Sequence, residues 1–326
     1  MRLDIREELT NTEFFHNLIY KKEIVIDNST FIQLDACFAK GIMGGLLKKV
    51  QAGGEVHLSF GGCVHAALEA KFKGASLKEQ IRSAEEHPDF KNLSPHDKVK
   101  TPAKLRELLA AYQVHTDTTP DFEILSCCGE ICVEQSFRLP LGTIFDGECS
   151  VYWEGKIDMF CKYLGQIWIG DHKTTQVMGE KYIDSYLRSS QILGYFWAAH
   201  ALIELGLNAL QDSHENVYDL TKKPFHGVLI NALCIRSKGF EFKPHPIPLS
   251  LLRIEEWREE TLLRLEHFVV QLEKYMDTGI AVPTREHCVT KYGRCPFFDV
   301  CEMPESKRKG MLTSPLFKTS TWSPHD

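Results

Sequence analysis

Three side chains in the stretch GKIDMFCKYLGQIWIGDHKTT, residues 155–175, could do chemistry together: Asp158, Asp171 and Lys173. Residues 167–173 alternate as a strand should, so Asp171 and Lys173 share one face and His172 points the other way. Asp158 lies on the preceding strand, across a turn at Leu164 and Gly165, and antiparallel pairing across that turn would bring it near Asp171. Two carboxylates side by side repel unless a cation sits between them. Magnesium or manganese suits such hard oxygen ligands, with waters and a phosphate oxygen completing the octahedron. A lysine beside them would stabilise negative charge developing at a scissile phosphodiester or at the attacking water. An exposed hairpin also carries Asp and Lys at alternate positions so commonly that the triplet alone fits a plain surface strand better than a catalytic site.

The elements that must position these groups are legible in outline. A strand is expected at residues 23–27 and a helix from about Gly61 through Cys63, His65, Leu68 and Phe72. Residues 74–95 are polar and read as an insertion over the surface. A further helix covers 101–115, with Leu105, Leu108, Leu109 and Tyr112 on one face. From residue 122 to 174 runs of β-branched and aromatic residues at 122–125, 131–139, 155–163 and 166–172 alternate with turn residues, the pattern of a strand meander. One helix follows at 181–205, then strands at 227–235 and 240–245, then a long amphipathic helix at 249–278, whose apolar positions are best explained by packing on the protein's own sheet. The last 20 residues are polar and expected to be loose. The order predicts an α/β core with a central mixed sheet flanked by helices, and a Cys-bearing region that joins the N- and C-terminal segments. The expected division is 1–60, 61–280 and 281–326.

In this frame the residues resemble the PD-(D/E)XK nuclease superfamily, in its RecB-like branch, which includes the nuclease domains of bacterial recombination helicases and the CRISPR-associated adaptation exonucleases. The family's pattern is a helical His, a strand Glu, G-x-x-D, D/E-x-K and a helical Q-x-x-x-Y. This chain has His65 in FGGCVHAALEA, Glu134 in CVEQSF, Asp158 in GKID, Asp171 and Lys173 in DHK, and Gln191 and Tyr195 in QILGY, all in the family's order. The resemblance implies a restriction-endonuclease-like core. It implies that His65, Asp158 and Asp171 bind the metal, that Lys173 is catalytic, and that Gln191 and Tyr195, four apart on one helix face, border the site. Glu134 joins the set if its strand turns it inward. Asp171 rather than Glu fills the D/E position, and Ile-Asp stands where the superfamily name has Pro-Asp; both variants occur in this branch.

Eleven cysteines are many for a chain read as cytoplasmic, where disulfides are disfavoured and an odd number leaves a disulfide framework incomplete. Cys288, Cys295 and Cys301 lie close together in CVTKYGRCPFFDVC and look like cluster ligands that need a fourth. Cys37 suits that place, with Cys63 as its rival. This resembles the iron–sulfur variant of the RecB-like nucleases, which implies a [4Fe–4S] cluster held by Cys37, Cys288, Cys295 and Cys301; a tetrahedral Zn2+ site uses the same ligand type. Cys127, Cys128, Cys132, Cys149, Cys161 and Cys234 lie in apolar strand contexts and are read as core residues.

The net charge of −6 argues against a protein that coats nucleic acid and leaves room for one that holds it in a local channel. The N-terminus has early acidic residues and no apolar stretch of the kind a secretory signal has, and no run approaches the roughly 18 apolar residues of a membrane span. No G-x-x-x-x-G-K-[ST] motif is present, so no helicase is expected within the chain. The implied activity is Mg2+- or Mn2+-dependent hydrolysis of DNA, as an exonuclease on single strands or free ends in recombination, repair or replication, with a recombinase or helicase as partner and no membrane. The alternative is a catalytically silent nuclease fold that binds DNA or a partner and is stapled by the iron–sulfur or zinc site.

Overall fold

The computed structural model describes residues 1–52, 56–236, 238–290, 293–321, 323 and 325. The chain forms two compact units, each assembled from separated segments: Met1–Ala52, Phe137–Gly155 and Glu255–Asp326 make one, and Gly53–Ser136 and Lys156–Ile254 the other. The elements used below are α1 (Val56–Phe72), α2 (Leu77–Glu86), α3 (Pro102–Thr118), β1 (Val133–Ile144), β2 (Cys149–Tyr163), β3 (Gln166–Thr175), α4 (Ser190–Glu204), β4 (Gly227–Arg236), β5 (Gly239–Pro248) and α5 (Leu251–Thr278).

The unit containing residues 156–254 holds the sheet order β2–β3–β4–β5. β2 and β3 are antiparallel, β3 and β4 parallel, β4 and β5 antiparallel, so the sheet is mixed. The α/β class and the helix-flanked mixed sheet are as expected. Leu164 and Gly165 both have positive φ, 48° and 76°, the backbone of a tight hairpin turn matched to strand twist. The register Met159↔Gly170 through Tyr163↔Gln166 follows from that turn, and its next step sets Asp158 opposite Asp171. Gly170 has to be glycine, because a Cβ there would meet the Met159 side chain at 2.2 Å.

One core of this unit packs Phe60, Val64, Ala67 and Leu68 of α1 with Leu105, Leu108, Leu109 and Tyr112 of α3 and Leu233 and Ile235 of β4. The α3 face is the one its periodicity predicts. The polar stretch 74–95 departs from expectation: it contains α2, which buries Gln80 and Ala84. Its few apolar side chains disguise it, yet it begins with a complete capping box, in which the Ser76 side chain accepts from the Glu79 backbone N–H while the Glu79 side chain accepts from the Ser76 backbone N–H. The expected helix at 181–205 is two, Glu180–Asp184 and α4, because Ser189 takes an extended conformation (ψ 124°) that ends one and starts the other.

In the other unit, strand Glu23–Asp27 runs parallel to residues 150–154 of β2. The α5 residues Trp257, Leu265, Phe268, Val269, Leu272 and Tyr275 are buried, with Trp257 edge-on to Trp153 at 5.1 Å. The tail is more ordered than its polarity suggests. Residues 305–312 form a helix, and Phe317–Thr319 pairs with Lys49–Gln51, with the Phe317 ring stacked on Phe297. Among the described residues no helix is long and apolar enough to cross a membrane.

The α2 cap provides a test of the unexpected helix. Ser76→Ala removes the acceptor for an otherwise unpaired N–H and should lower unfolding stability by about 1 kcal/mol in urea titrations; a variant as stable as the parent would show that the capping box contributes nothing.

Candidate active site

Hairpin β2–β3, helix α1 and the start of β1 bring His65, Glu134, Asp158, Asp171 and Lys173 close together. Among the described residues, only His65, Glu134 and Asp158 bring three metal-competent ligand atoms within 4.8 Å of one another. His65 Nδ1 lies 3.4 Å from Asp158 Oδ2 and 3.9 Å from Glu134 Oε1. His65 Nε2 sits 3.0 Å from the carbonyl oxygen of His172. A carbonyl only accepts, so Nε2 carries a proton, and Nδ1, which faces the two carboxylates, offers a lone pair to a cation once its own proton is lost. Glu134 reaches the group from an unusual backbone: its φ is +50°, a region that non-glycine residues rarely occupy and that is found most often where function constrains the chain. That turn brings its carboxylate to His65, which strand alternation alone did not determine.

Asp158 and Asp171 are both buried. Asp158 Oδ2 accepts the backbone N–H of His172 at 2.7 Å. Burial raises the Asp158 pKa, and the nearby Glu134 carboxylate raises it further against the opposing pull of His65 and Lys173. Burial likewise pushes Asp171 up to about 6, countered by Lys173 and assisted by Asp158. Lys173 Nζ lies 2.8 Å from Asp171 Oδ1 and 2.7 Å from Oδ2. Burial would lower the Lys173 pKa, but the Asp171 and Asp158 charges outweigh it and leave the ammonium raised above its ordinary value. Lys173 also donates to Gln191 Oε1 at 3.0 Å, and Gln191 Nε2 donates to Tyr195 OH at 3.1 Å. The four-residue spacing on α4 thus delivers both side chains to the lysine, as the sequence pattern suggested.

The donor set suits a hard divalent cation. It combines one imidazole nitrogen with carboxylate oxygens, and burial and mutual repulsion hold the Asp158 and Asp171 carboxyls at raised pKa. Asp171 Oδ2 is buried and accepts no well-aligned hydrogen bond, which leaves it a lone pair for a ligand. His172 turns to the opposite face, as alternation requires, and its ring stacks on Phe72 at 5.5 Å.

In the other unit, Cys37 Sγ accepts the Thr284 N–H at 3.2 Å. Burial pushes the Cys301 thiol up to about 12, with further contributions from Cys295, Cys37 and Cys288. Burial and the neighbouring Cys295 and Cys37 raise Cys288. Cys37 and Cys295 therefore lie within electrostatic reach of both Cys288 and Cys301. Cys63, the rival fourth ligand, is buried in the core of the other unit with its Sγ 4.0 Å from His87 Nδ1. Of the cysteines expected in the core, Cys132, Cys149, Cys161 and Cys234 are buried, whereas Cys127 is half-buried and Cys128 exposed. Cys128, with φ of +53°, turns the tight hairpin between Ser126–Cys127 and Glu130–Ile131.

Two residues of this environment were not singled out as site residues from the sequence. Asn231, fully buried on β4, is hydrogen-bonded to His172 Nδ1, and the same Asn231 nitrogen donates to Tyr112 OH on α3. Only the parallel pairing of β3 with β4, across a long crossover, reveals that contact.

Burial pulls the His65 imidazole down, but Asp158 and Glu134 more than offset this and push it up to about 9. The coupling stabilises the fold below the ordinary 6.5 and is lost as pH rises through about 9. In metal-free protein at pH 7.5, 15N NMR should find His65 protonated, and Asp158→Asn should lower its titration midpoint by about one to three pH units. An unchanged midpoint would mean that Asp158 does not hold the proton there.

The sequence model of the PD-(D/E)XK nuclease superfamily matches residues 42–302. No curated protein matches the chain. The chain belongs to the PD-(D/E)XK nuclease superfamily, and its helix-flanked mixed sheet is the restriction-endonuclease-like fold.

Proposed function

We propose that this PD-(D/E)XK superfamily member is a Mg2+- or Mn2+-dependent deoxyribonuclease that acts as an exonuclease on single-stranded DNA or free ends. The observation that carries the reading is the convergence of His65, Glu134 and Asp158 beside the Asp171–Lys173 pair. His65 Nδ1, Glu134, Asp158 and Asp171 would hold the cation. When bound, the cation supplies a water of lowered pKa and neutralises charge on the phosphodiester. Lys173 carries the remaining burden. Its ammonium, kept charged by Asp171 and held by Gln191, can donate to a non-bridging phosphate oxygen as negative charge builds there. Tyr195 and Gln191 fix the direction of that donation. Work on DNA in recombination, repair or replication in the cytoplasm, with a helicase or recombinase supplying strands, is the setting that matches the RecB-like order of motifs.

We further propose that Cys37, Cys288, Cys295 and Cys301 hold a [4Fe–4S] cluster. The resemblance of CVTKYGRCPFFDVC and the upstream Cys37 to the iron–sulfur variant of the RecB-like nucleases supports the cluster, and a tetrahedral Zn2+ site would use the same four thiolates.

Purified protein should degrade end-labelled single-stranded DNA with Mg2+ or Mn2+ and not with EDTA. Asp171→Ala and Lys173→Ala should each cost about 10²–10³-fold or more in rate. Variants that cut as well as the parent would refute the assignment, and a parent that binds the strand but leaves it intact would replace hydrolysis by a binding module.

Anaerobically purified protein should be brown and contain iron and acid-labile sulfide in equal amounts, both lost in Cys301→Ser. A colourless preparation containing zinc would decide for the single ion.

A further inference from the structure

His172, between Asp171 and Lys173, touches two of the cation-site residues through its main chain. Its N–H donates to Asp158 Oδ2 at 2.7 Å, and its carbonyl accepts from His65 Nε2 at 3.0 Å. The orientation of this one residue therefore sets both the Asp158 carboxylate and the nitrogen that His65 turns toward the carboxylates.

Three elements grip its side chain. The ring lies flat against Phe72, at 13° between planes. Phe72 is on α1, seven residues after His65 and so two helical turns along the same face. Asn231, the partner of His172 in the β3–β4 register, brings Nδ2 to 2.8 Å from His172 Nδ1. The same nitrogen donates to Tyr112 OH on α3 at 2.9 Å. Asn231 is wholly buried, and its Oδ1 has no hydrogen-bond partner. An unpaired buried carbonyl costs about 1–3 kcal/mol, which a leucine of similar size would avoid. The amide contributes through its nitrogen, to His172 and Tyr112.

We propose that Asn231, acting through the His172 imidazole, is a positioning residue for His65 and Asp158. It fixes the His172 main chain, and with it the proton on His65 Nε2 and the lone pair of Nδ1 that faces the cation site. The His172 carbonyl is a partner of the kind that holds the other nitrogen of a metal-binding histidine, which typically contributes about 10–100-fold in metal affinity, and Asn231 acts on it through the His172 ring. The inference rests on the reading of His65, Glu134 and Asp158 as the cation site, so its test includes a readout that needs no cation.

In metal-free protein the His65 Nε2–H resonance should be protected from solvent exchange, and Asn231→Leu should abolish that protection. By electron paramagnetic resonance, without nucleic acid, the same variant should bind Mn2+ about 10–100-fold more weakly. Tyr112→Phe removes only the more distant hydrogen bond and should shift both readouts less, in the same direction. Phe72→Leu removes stacking without touching a hydrogen bond; it should lower the melting temperature and keep the His65 signal. If Asn231→Leu does not fold, His172→Phe, which keeps the stacked ring, is read in its place. A folded variant with the parent's protected Nε2–H and the parent's Mn2+ affinity overturns the proposal. A parent that binds no Mn2+, with the Nε2–H protection still lost in the variant, upholds the positioning role and overturns the cation site instead.

Discussion

Carboxylates buried together cannot all be ionised without positive charge among them, and that constraint organises the site-bearing unit. Asp158 and Asp171 are almost wholly withdrawn from water, with Glu134 beside them. In a medium of low effective dielectric each charge is costly alone and costlier next to another. The surrounding elements each deliver compensation. α1 brings the His65 imidazole, β3 brings the Lys173 ammonium, α4 brings the Gln191 and Tyr195 side chains that hold the ammonium in place, and the β3 main chain gives Asp158 an N–H. Even so the carboxyl pKa values of both aspartates stay raised. The compensation is incomplete in the way a cation site requires: enough to let the chain fold around the acids, not enough to satisfy them.

The parts of this arrangement that follow from local rules were legible in the sequence. The two-residue turn and the period of two put Asp158 opposite Asp171 and set Asp171 and Lys173 on one face. The period of α3 announced its buried face, and the i, i+4 spacing of Gln191 and Tyr195 announced theirs. Where local rules ran out, the sequence was less informative. Glu134 reaches His65 through a left-handed backbone that no propensity would suggest. The pairing of Lys173 with Asp171 is closer than a shared face implies. α2 was hidden by its overall polarity, although Leu77, Ile81 and Ala84 recur at helical spacing and Ser76 and Glu79 marked its start.

Asn231 was invisible for a topological reason. Antiparallel β2 and β3 are joined by two residues, so their register follows from the turn. Parallel β3 and β4 are joined by a long crossover containing α4, and nothing local sets which residue of one meets which of the other. A buried polar residue inside the apolar run GVLINALCIR is the only trace of that pairing. Its value as a clue comes from energetics: a buried amide with an unpaired oxygen is retained against its cost only where its other half is used.

The cysteine-bearing unit poses a different question, namely what its thiols add. The chain ends are already held together there without them. Leu3 N–H donates to the Gly279 carbonyl, Tyr275 OH accepts from the Ile5 N–H and donates to the Leu3 carbonyl, and Trp153 packs on Trp257. Among the described residues, 284–301 have little regular structure of their own: one short turn, two paired two-residue strands and a five-residue helix, with Phe297 and Val300 buried. A multidentate group held by Cys288, Cys295 and Cys301, as proposed above, would add a cross-link that offsets part of the entropy of ordering this segment. Cys37, whose sulfur accepts the N–H of Thr284, would extend that cross-link to the N-terminal segment. The joining of the two ends rests on the ordinary packing of α5, and what the proposed group would add is local order in 284–301.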